Sequence, residues 1–235
     1  MSNAVLRGDL RARGSSRKVL AMELLYLGIL ALLMLLGLPP ELNQIDPSRN
    51  PVGLGMALLG VQVVLVTYFA SACALQEIAV EGERPAIDLA FGPFSRRTIV
   101  VGKSLASLAT IVYWLLLGVP LLVLAFGIRQ APIAGLAAVF VLVVAQAWAV
   151  AQIGLLYSIV CESEFARTLA HWATLVLVFL ATLALPAEVQ WTNPVVAVTW
   201  AVAGTFPVQA AACYAALGLV CTGLAHVALR RFGVA

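Results

Sequence analysis

The chain has few charges, no paired cysteines and no nucleotide-binding loop, and each shortage removes a class of protein. Asp, Glu, Lys and Arg make up 11% of its 235 residues, where a soluble globular domain carries roughly a quarter. With 63% hydrophobic residues and a mean hydropathy of +1.02, a soluble domain is excluded. The four cysteines, Cys73, Cys161, Cys213 and Cys221, sit in or at the edge of apolar runs with no C-x-x-C spacing. They read as small apolar packing residues, not as a disulfide framework or thiolate metal site. Short alternating segments of the kind that build a membrane β-barrel are absent. A brief basic N-terminus is the sole feature nucleic acid could use, so no nucleic-acid partner is expected.

Catalytic constellations are missing as well. Gly102-Lys103-Ser104 ends like a phosphate-binding loop, but that motif requires a glycine five residues before Gly102, and position 97 is Arg. Energy from ATP would therefore have to come from a separate chain. No Ser/His/Asp set and no intramembrane aspartate pair points to a protease. His171 and His226 lie near the ends of apolar runs, with Cys221 about a turn and a half before His226. Without close carboxylate or thiolate ligands, they are expected to make interfacial hydrogen bonds and not to hold a metal or haem. Neither a catalytic residue nor a metal nor a cofactor is expected in the chain itself.

What remains is apolar sequence in long runs. About 20 apolar residues cross the hydrocarbon as a helix, and in lipid the backbone must satisfy its own hydrogen bonds. The expected fold is an all-α polytopic membrane protein, a single transmembrane domain over 1–235. Its six spans are placed at about 19–38, 52–75, 99–126, 132–160, 169–187 and 207–229. Residues 161–168 form a short polar loop before the fifth span. In the third, Gly118 and Pro120 predict a kink. The run 194–229 is 36 residues long, too many for one straight span, and Gly204-Thr205-Phe206-Pro207 divides it. Residues 194–206 are then an outer re-entrant or interfacial segment before the last span. Trp191 and Trp200 suit a membrane-interface belt.

With six spans, twelve of the fourteen basic residues fall on one side, and only Arg49 and Arg129 lie opposite. By the positive-inside rule that side is the cytoplasm. Both termini are expected there, in a multi-pass protein of the cell (inner) membrane. Part of the basic N-terminus would meet anionic lipid headgroups.

The long polar stretch Gln76 to Lys103 interrupts this pattern. It holds four acidic residues, Glu77, Glu81, Glu83 and Asp88, and four basic ones, Arg84, Arg96, Arg97 and Lys103. Pro85 suits the first position of a helix, and Glu81 and Glu83 favour its N-terminus. Ile87, Ala90 and Phe91 share one face, and Gly92-Pro93 ends the run. Ser95 is placed to cap the next helix, which carries Arg96, Arg97 and Lys103 toward the membrane. A helix of about two turns is too short to stand alone, so its apolar stripe needs something to insert into.

This stretch resembles the first cytoplasmic loop of type-2 ABC exporter (ABC-2 type) membrane subunits. An acidic stretch, a short amphipathic helix, P-x-S-R and an apolar helix opened by G-K correspond to Glu81, Glu83, Leu89, Pro93, Ser95, Arg96, Gly102 and Lys103. Six spans and the Asn193-Pro194 turn before an outer segment are similar too. One departure is Arg84-Pro85 where the family often has Gly-Thr. The resemblance implies a permease subunit of an ATP-driven exporter, not itself an enzyme, with a coupling loop over 76–98. ATPase docking would then fall to Glu81, Glu83, Arg84, Ile87, Asp88, Leu89, Phe91, Pro93, Ser95 and Arg96. It also implies two ABC ATPase subunits that hold the ATP and Mg, and a second permease copy or a homologous permease completing the pathway.

Polar residues within the spans are few. Gln62, Gln146 and Gln152, with Tyr113, Trp114 and Trp148, are candidates for lining a pathway; the glutamines, with Gln209, serve equally well as interhelical glue. Glu23 and Lys103 each sit about a turn inside the inner face and are a candidate ion pair. The scarcity of buried charge favours an amphipathic or apolar cargo. The alternatives are a haem-exporter-like ABC permease, a secondary transporter, which would need embedded ionisable residues and inverted repeats, and a non-transporting scaffold.

Overall fold

A computed structural model of the chain describes residues 17–37, 53–77, 96–127, 134–161, 163–205 and 207–232. The described residues are all-helical, with no strand among them. Among the described residues seven α-helices follow one another: α1 (Arg17–Gly37), α2 (Gly53–Glu77), α3 (Arg96–Gly127), α4 (Ala134–Val160), α5 (Glu164–Phe179), α6 (Pro194–Val202) and α7 (Val208–Phe232). Two 3-10 turns, Ala181–Ala184 and Ala187–Thr192, join α5 to α6. Among the described residues, six segments are long and apolar enough to cross a membrane: Val19–Gly37, Leu54–Leu75, Thr98–Phe126, Leu136–Val160, Glu164–Ala184 and Val208–Leu229. That is the mark of a multi-pass helical membrane protein.

Side-chain pairings give the helix directions. On α2 and α3, Gly55 meets Phe126 while Gln62 bonds Leu115, so the two run antiparallel. On α2 and α4, Thr67 pairs with Gln146 and the Ser71 carbonyl lies against Gly154, so they run parallel. Trp148 against Gly218 and Gln152 beside Thr222 make α4 and α7 parallel too. Helices α1, α3 and α5 thus point one way and α2, α4 and α7 the other. Helix α4 touches α2, α3, α5, α6 and α7, and α2 is the most buried span, so these two form the centre. Helix α1 attaches by one stripe, Tyr26, Leu30 and Met34, spaced a turn apart.

One boundary differs from the sequence expectation. The fifth span starts at Glu164, within the polar stretch 161–168, because Ser163 caps it: its Oγ accepts from the Ala166 N–H at 3.1 Å. Glu164 in the first turn complements the positive end of the helix. The third helix carries Pro120 inside an unbroken α-helical run. Neighbours brace the turn before it. Tyr26 Oη donates to the Trp114 carbonyl at 3.0 Å and Gln62 Nε2 to the Leu115 carbonyl at 3.3 Å. The carbonyl that Pro120 leaves without its helical donor is that of Leu116, so these bonds hold the backbone just before it.

The divided final run is present as α6, a turn and α7. At the turn, Gly204 has φ +88°; its N–H bonds Ala201 O at 3.2 Å, and Thr205 N–H bonds Trp200 O at 2.9 Å. This is a Schellman motif, and the left-handed position explains the glycine. At the other end of α6, Asn193 is 1% exposed and works in both directions. Its Oδ1 accepts from the N–H groups of Val195 and Val196, while Nδ2 donates to Phe179 O at 2.9 Å and Thr182 Oγ1 at 2.8 Å. Tyr214 of α7 donates to the neighbouring Thr192 carbonyl. Replacing Asn193 by Asp keeps the cap and loses both donors; replacing it by Ala loses all four bonds. Thermal unfolding in detergent is expected to rank the proteins wild type, Asn193→Asp, Asn193→Ala, the last about 1–3 kcal/mol down.

Candidate functional site

The proposed docking residues Glu81, Glu83, Arg84, Ile87, Asp88, Leu89, Phe91, Pro93 and Ser95 lie outside the described residues, as does the helix expected over 81–91. Their anchors are described. Helix α2 ends at Glu77 and α3 opens at Arg96, and because the two helices are antiparallel neighbours, both anchors lie at the same end of the bundle. That end also carries the start of α5.

Most residues selected as possible pathway lining are packed between helices. Gln62, Trp114, Gln146 and Gln152 are buried, Trp148 is half-buried and Tyr113 stands 47% exposed. Each glutamine joins two helices. Gln146 Nε2 donates to Thr67 Oγ1 at 2.9 Å, while the Thr67 hydroxyl donates to Val63 O at 2.7 Å. Thr222 Oγ1 approaches Gln152 Oε1 at 3.1 Å, and Trp148 Nε1 donates to Ser104 Oγ at 3.1 Å. In this single copy they act as interhelical glue. Buried atoms with no hydrogen-bond partner among the described residues are Gln62 Oε1, Gln152 Nε2 and His226 Nδ1.

His171 of α5 is 3% exposed and lies 3.4 Å from Ser71 Oγ of α2. Ser71 spends its hydroxyl hydrogen on Thr67 O at 2.6 Å, so His171 Nε2–H is the donor and the serine oxygen accepts. The sequence led us to expect interfacial hydrogen bonding of this histidine; the contact described here runs between two helices. Among the described residues no group of three His, Cys, Asp or Glu side chains could hold a metal ion.

The two charged candidates have different surroundings. Lys103 is 3% exposed near the start of α3, where its carbonyl accepts from Ser107 Oγ at 3.1 Å. Glu23 is half-buried on α1 and meets the Tyr113 phenol of α3. Ten residues, about 15 Å of helix, separate Tyr113 from Lys103. A carboxylate about a turn inside a span is costly unless it is paired or reaches the interface, and the phenol offsets part of that.

Between α2 and α5 lies a groove of about 280 Å³, walled by Val64, Leu65, Tyr68, Trp172, Val176 and Phe179 among others. No protein-family model matches this chain, and no curated protein matches it.

Proposed function

We propose that the chain is the membrane-spanning permease subunit of an ATP-driven ABC exporter. The observation that carries the reading is the sequence pattern over 81–103, an acidic stretch, a run that would suit a short apolar-faced helix, P-x-S-R and G-K, lying in sequence between the adjacent ends of α2 and α3. Two ATPase subunits, holding the ATP and Mg, would grip this coupling helix from the cytoplasm, and their closure would push on α2 and α3 through the two anchors. Since α2 packs on α4 and α3 on α1, a push there reaches most of the bundle. In this reading the termini face the cytoplasm, the protein resides in the cell (inner) membrane, and α6 with its turn is the outer re-entrant segment. Two copies, or this chain with a similar one, would enclose the pathway. The apolar groove between α2 and α5 and the scarcity of charge in the spans support an amphipathic or apolar cargo.

The test is co-purification from native membranes of the wild type beside a Glu83→Lys, Phe91→Asp double variant. An ATPase subunit is expected with the wild type and at most a tenth as much with the variant. If no ATPase accompanies either protein, the exporter reading fails and a scaffold or secondary carrier takes its place.

A further inference from the structure

Glu23 and Tyr113 form a polar site on an otherwise apolar outer face of the bundle, and we infer that it binds the cationic end of an amphipath arriving from the bilayer. Tyr26 lies three residues after Glu23 and donates to the carbonyl of Trp114, the residue following Tyr113. Residues three apart share a helix face, so Glu23 is turned toward α3, where it meets the Tyr113 phenol. The pair is not sealed. Glu23 is half-buried, the Tyr113 ring is 47% exposed, and Leu20 and Leu24 on the same helix are 56% and 64% exposed.

A carboxylate at this depth rewards a positive charge more than it would in water, because the surroundings are apolar and screening is weak. The open face of the Tyr113 ring adds attraction for an organic cation. A hard metal ion would need several further oxygens, and an anion would be repelled. The ligand class is thus a lipophilic ammonium or phosphonium ion, entering sideways between α1 and α3. This rests on the exporter reading only for the name of the ligand as cargo; the binding itself needs no ATPase.

The probe is radiolabelled tetraphenylphosphonium, titrated onto the full chain in lipid nanodiscs with empty nanodiscs subtracted. Wild type is expected to bind it saturably and to ignore tetraphenylborate, the anion of the same shape. Glu23→Gln is expected to weaken binding at least tenfold, Tyr113→Leu several-fold, and Tyr113→Phe less than Tyr113→Leu because the ring remains. Glu164→Gln, exposed at the start of α5, is expected to bind as wild type. Each variant is first shown to be monodisperse and to unfold at the wild-type temperature; if Glu23→Gln misfolds, the Tyr113 pair carries the test. Wild type without saturable binding, equal binding of tetraphenylborate, or undiminished binding by Glu23→Gln overturns the site. None of these outcomes bears on whether an ATPase co-purifies, so the two proposals fail separately.

Discussion

Valine at position 154 is expected to abolish a monodisperse, folded protein in detergent, and alanine there to lower its stability by about 1–3 kcal/mol. At Gly154 the backbone of α4 lies against that of α2. A side-chain carbon added to it would stand 2.9 Å from the carbonyl oxygen of Ser71, 3.6 Å from the Leu75 nitrogen and 3.7 Å from Ala74 Cβ. The nearest atom is backbone, so no rotamer change relieves the clash and the two helices must part. They are the central pair of the bundle, and the Thr67–Gln146 hydrogen bond lies about two turns away on the same seam. Small residues let membrane helices approach so closely, and the packing gained there replaces the hydrophobic force that lipid removes. Gly28 is the control: a carbon added there meets nothing within 4 Å, so Gly28→Ala is expected to leave stability unchanged or slightly raised by its better helix propensity. Unfolding followed by helicity across a dodecyl sulfate titration checks both. Wild-type stability in Gly154→Val would mean that α2 and α4 do not meet as described.

The spans were legible because a membrane helix is written in a single run of sequence, and its length is set by the bilayer rather than by partners. The turn after α6 was legible for a similar local reason, as glycine marks the left-handed position at 204. Ser163 was harder to see, since a cap in a loop of polar residues looks like its neighbours. What could not be read was which polar groups meet. Gln62, Gln146 and Gln152 stood out as polar residues in apolar runs, but their partners come from other helices, up to 79 positions away for Thr67 and Gln146. Thr67, Ser71, Ser104 and Thr222 gave no signal, because hydroxyls in a span are readily absorbed by the carbonyl one turn back, as Thr67 and Ser71 also are here. Helix α4 hid its central place for the opposite reason. Apart from Gln146 and Gln152 it is apolar on every side, and such a helix has no broad face that announces a neighbour. For Glu23, charge alone pointed to Lys103; the phenol of Tyr113 became a candidate only once α1 lay on α3. The docking stretch stands the other way about: its pattern is in the sequence, and the described residues give its two anchors.

The attachment of α1 brings the same physics to a second strong expectation. Trp114 is 1% exposed, stacked on Phe69 of α2 at 5.0 Å and edge-on to Tyr26 of α1 at 5.1 Å. It is the place where the first three helices share one side chain. In a water-soluble core, cutting Trp to Ala costs about 3–5 kcal/mol. Part of that is transfer of apolar surface out of water, which is absent when the unfolded helices stay in lipid. What survives is the cavity, the lost dispersion and two aromatic contacts of about 0.5–1.5 kcal/mol each. Trp114→Ala is therefore expected to cost about 2–3 kcal/mol, and Trp114→Phe less than half as much. Tyr26→Phe, which removes the hydroxyl's bond to the Trp114 carbonyl and its contact with the Gln62 side chain, is expected to cost about 0.6–1.2 kcal/mol at about 0.6 kcal/mol for a membrane hydrogen bond. In Trp114→Ala, however, Tyr26→Ala should cost much less than it does in the wild type, because the ring has lost the surface it packs against. A double-mutant cycle in mixed micelles measures that difference. Strict additivity would show that α1 is held elsewhere, by the Leu30 and Met34 turns alone; coupling of 1 kcal/mol or more would place its main anchor at the aromatic triad, one turn from Glu23.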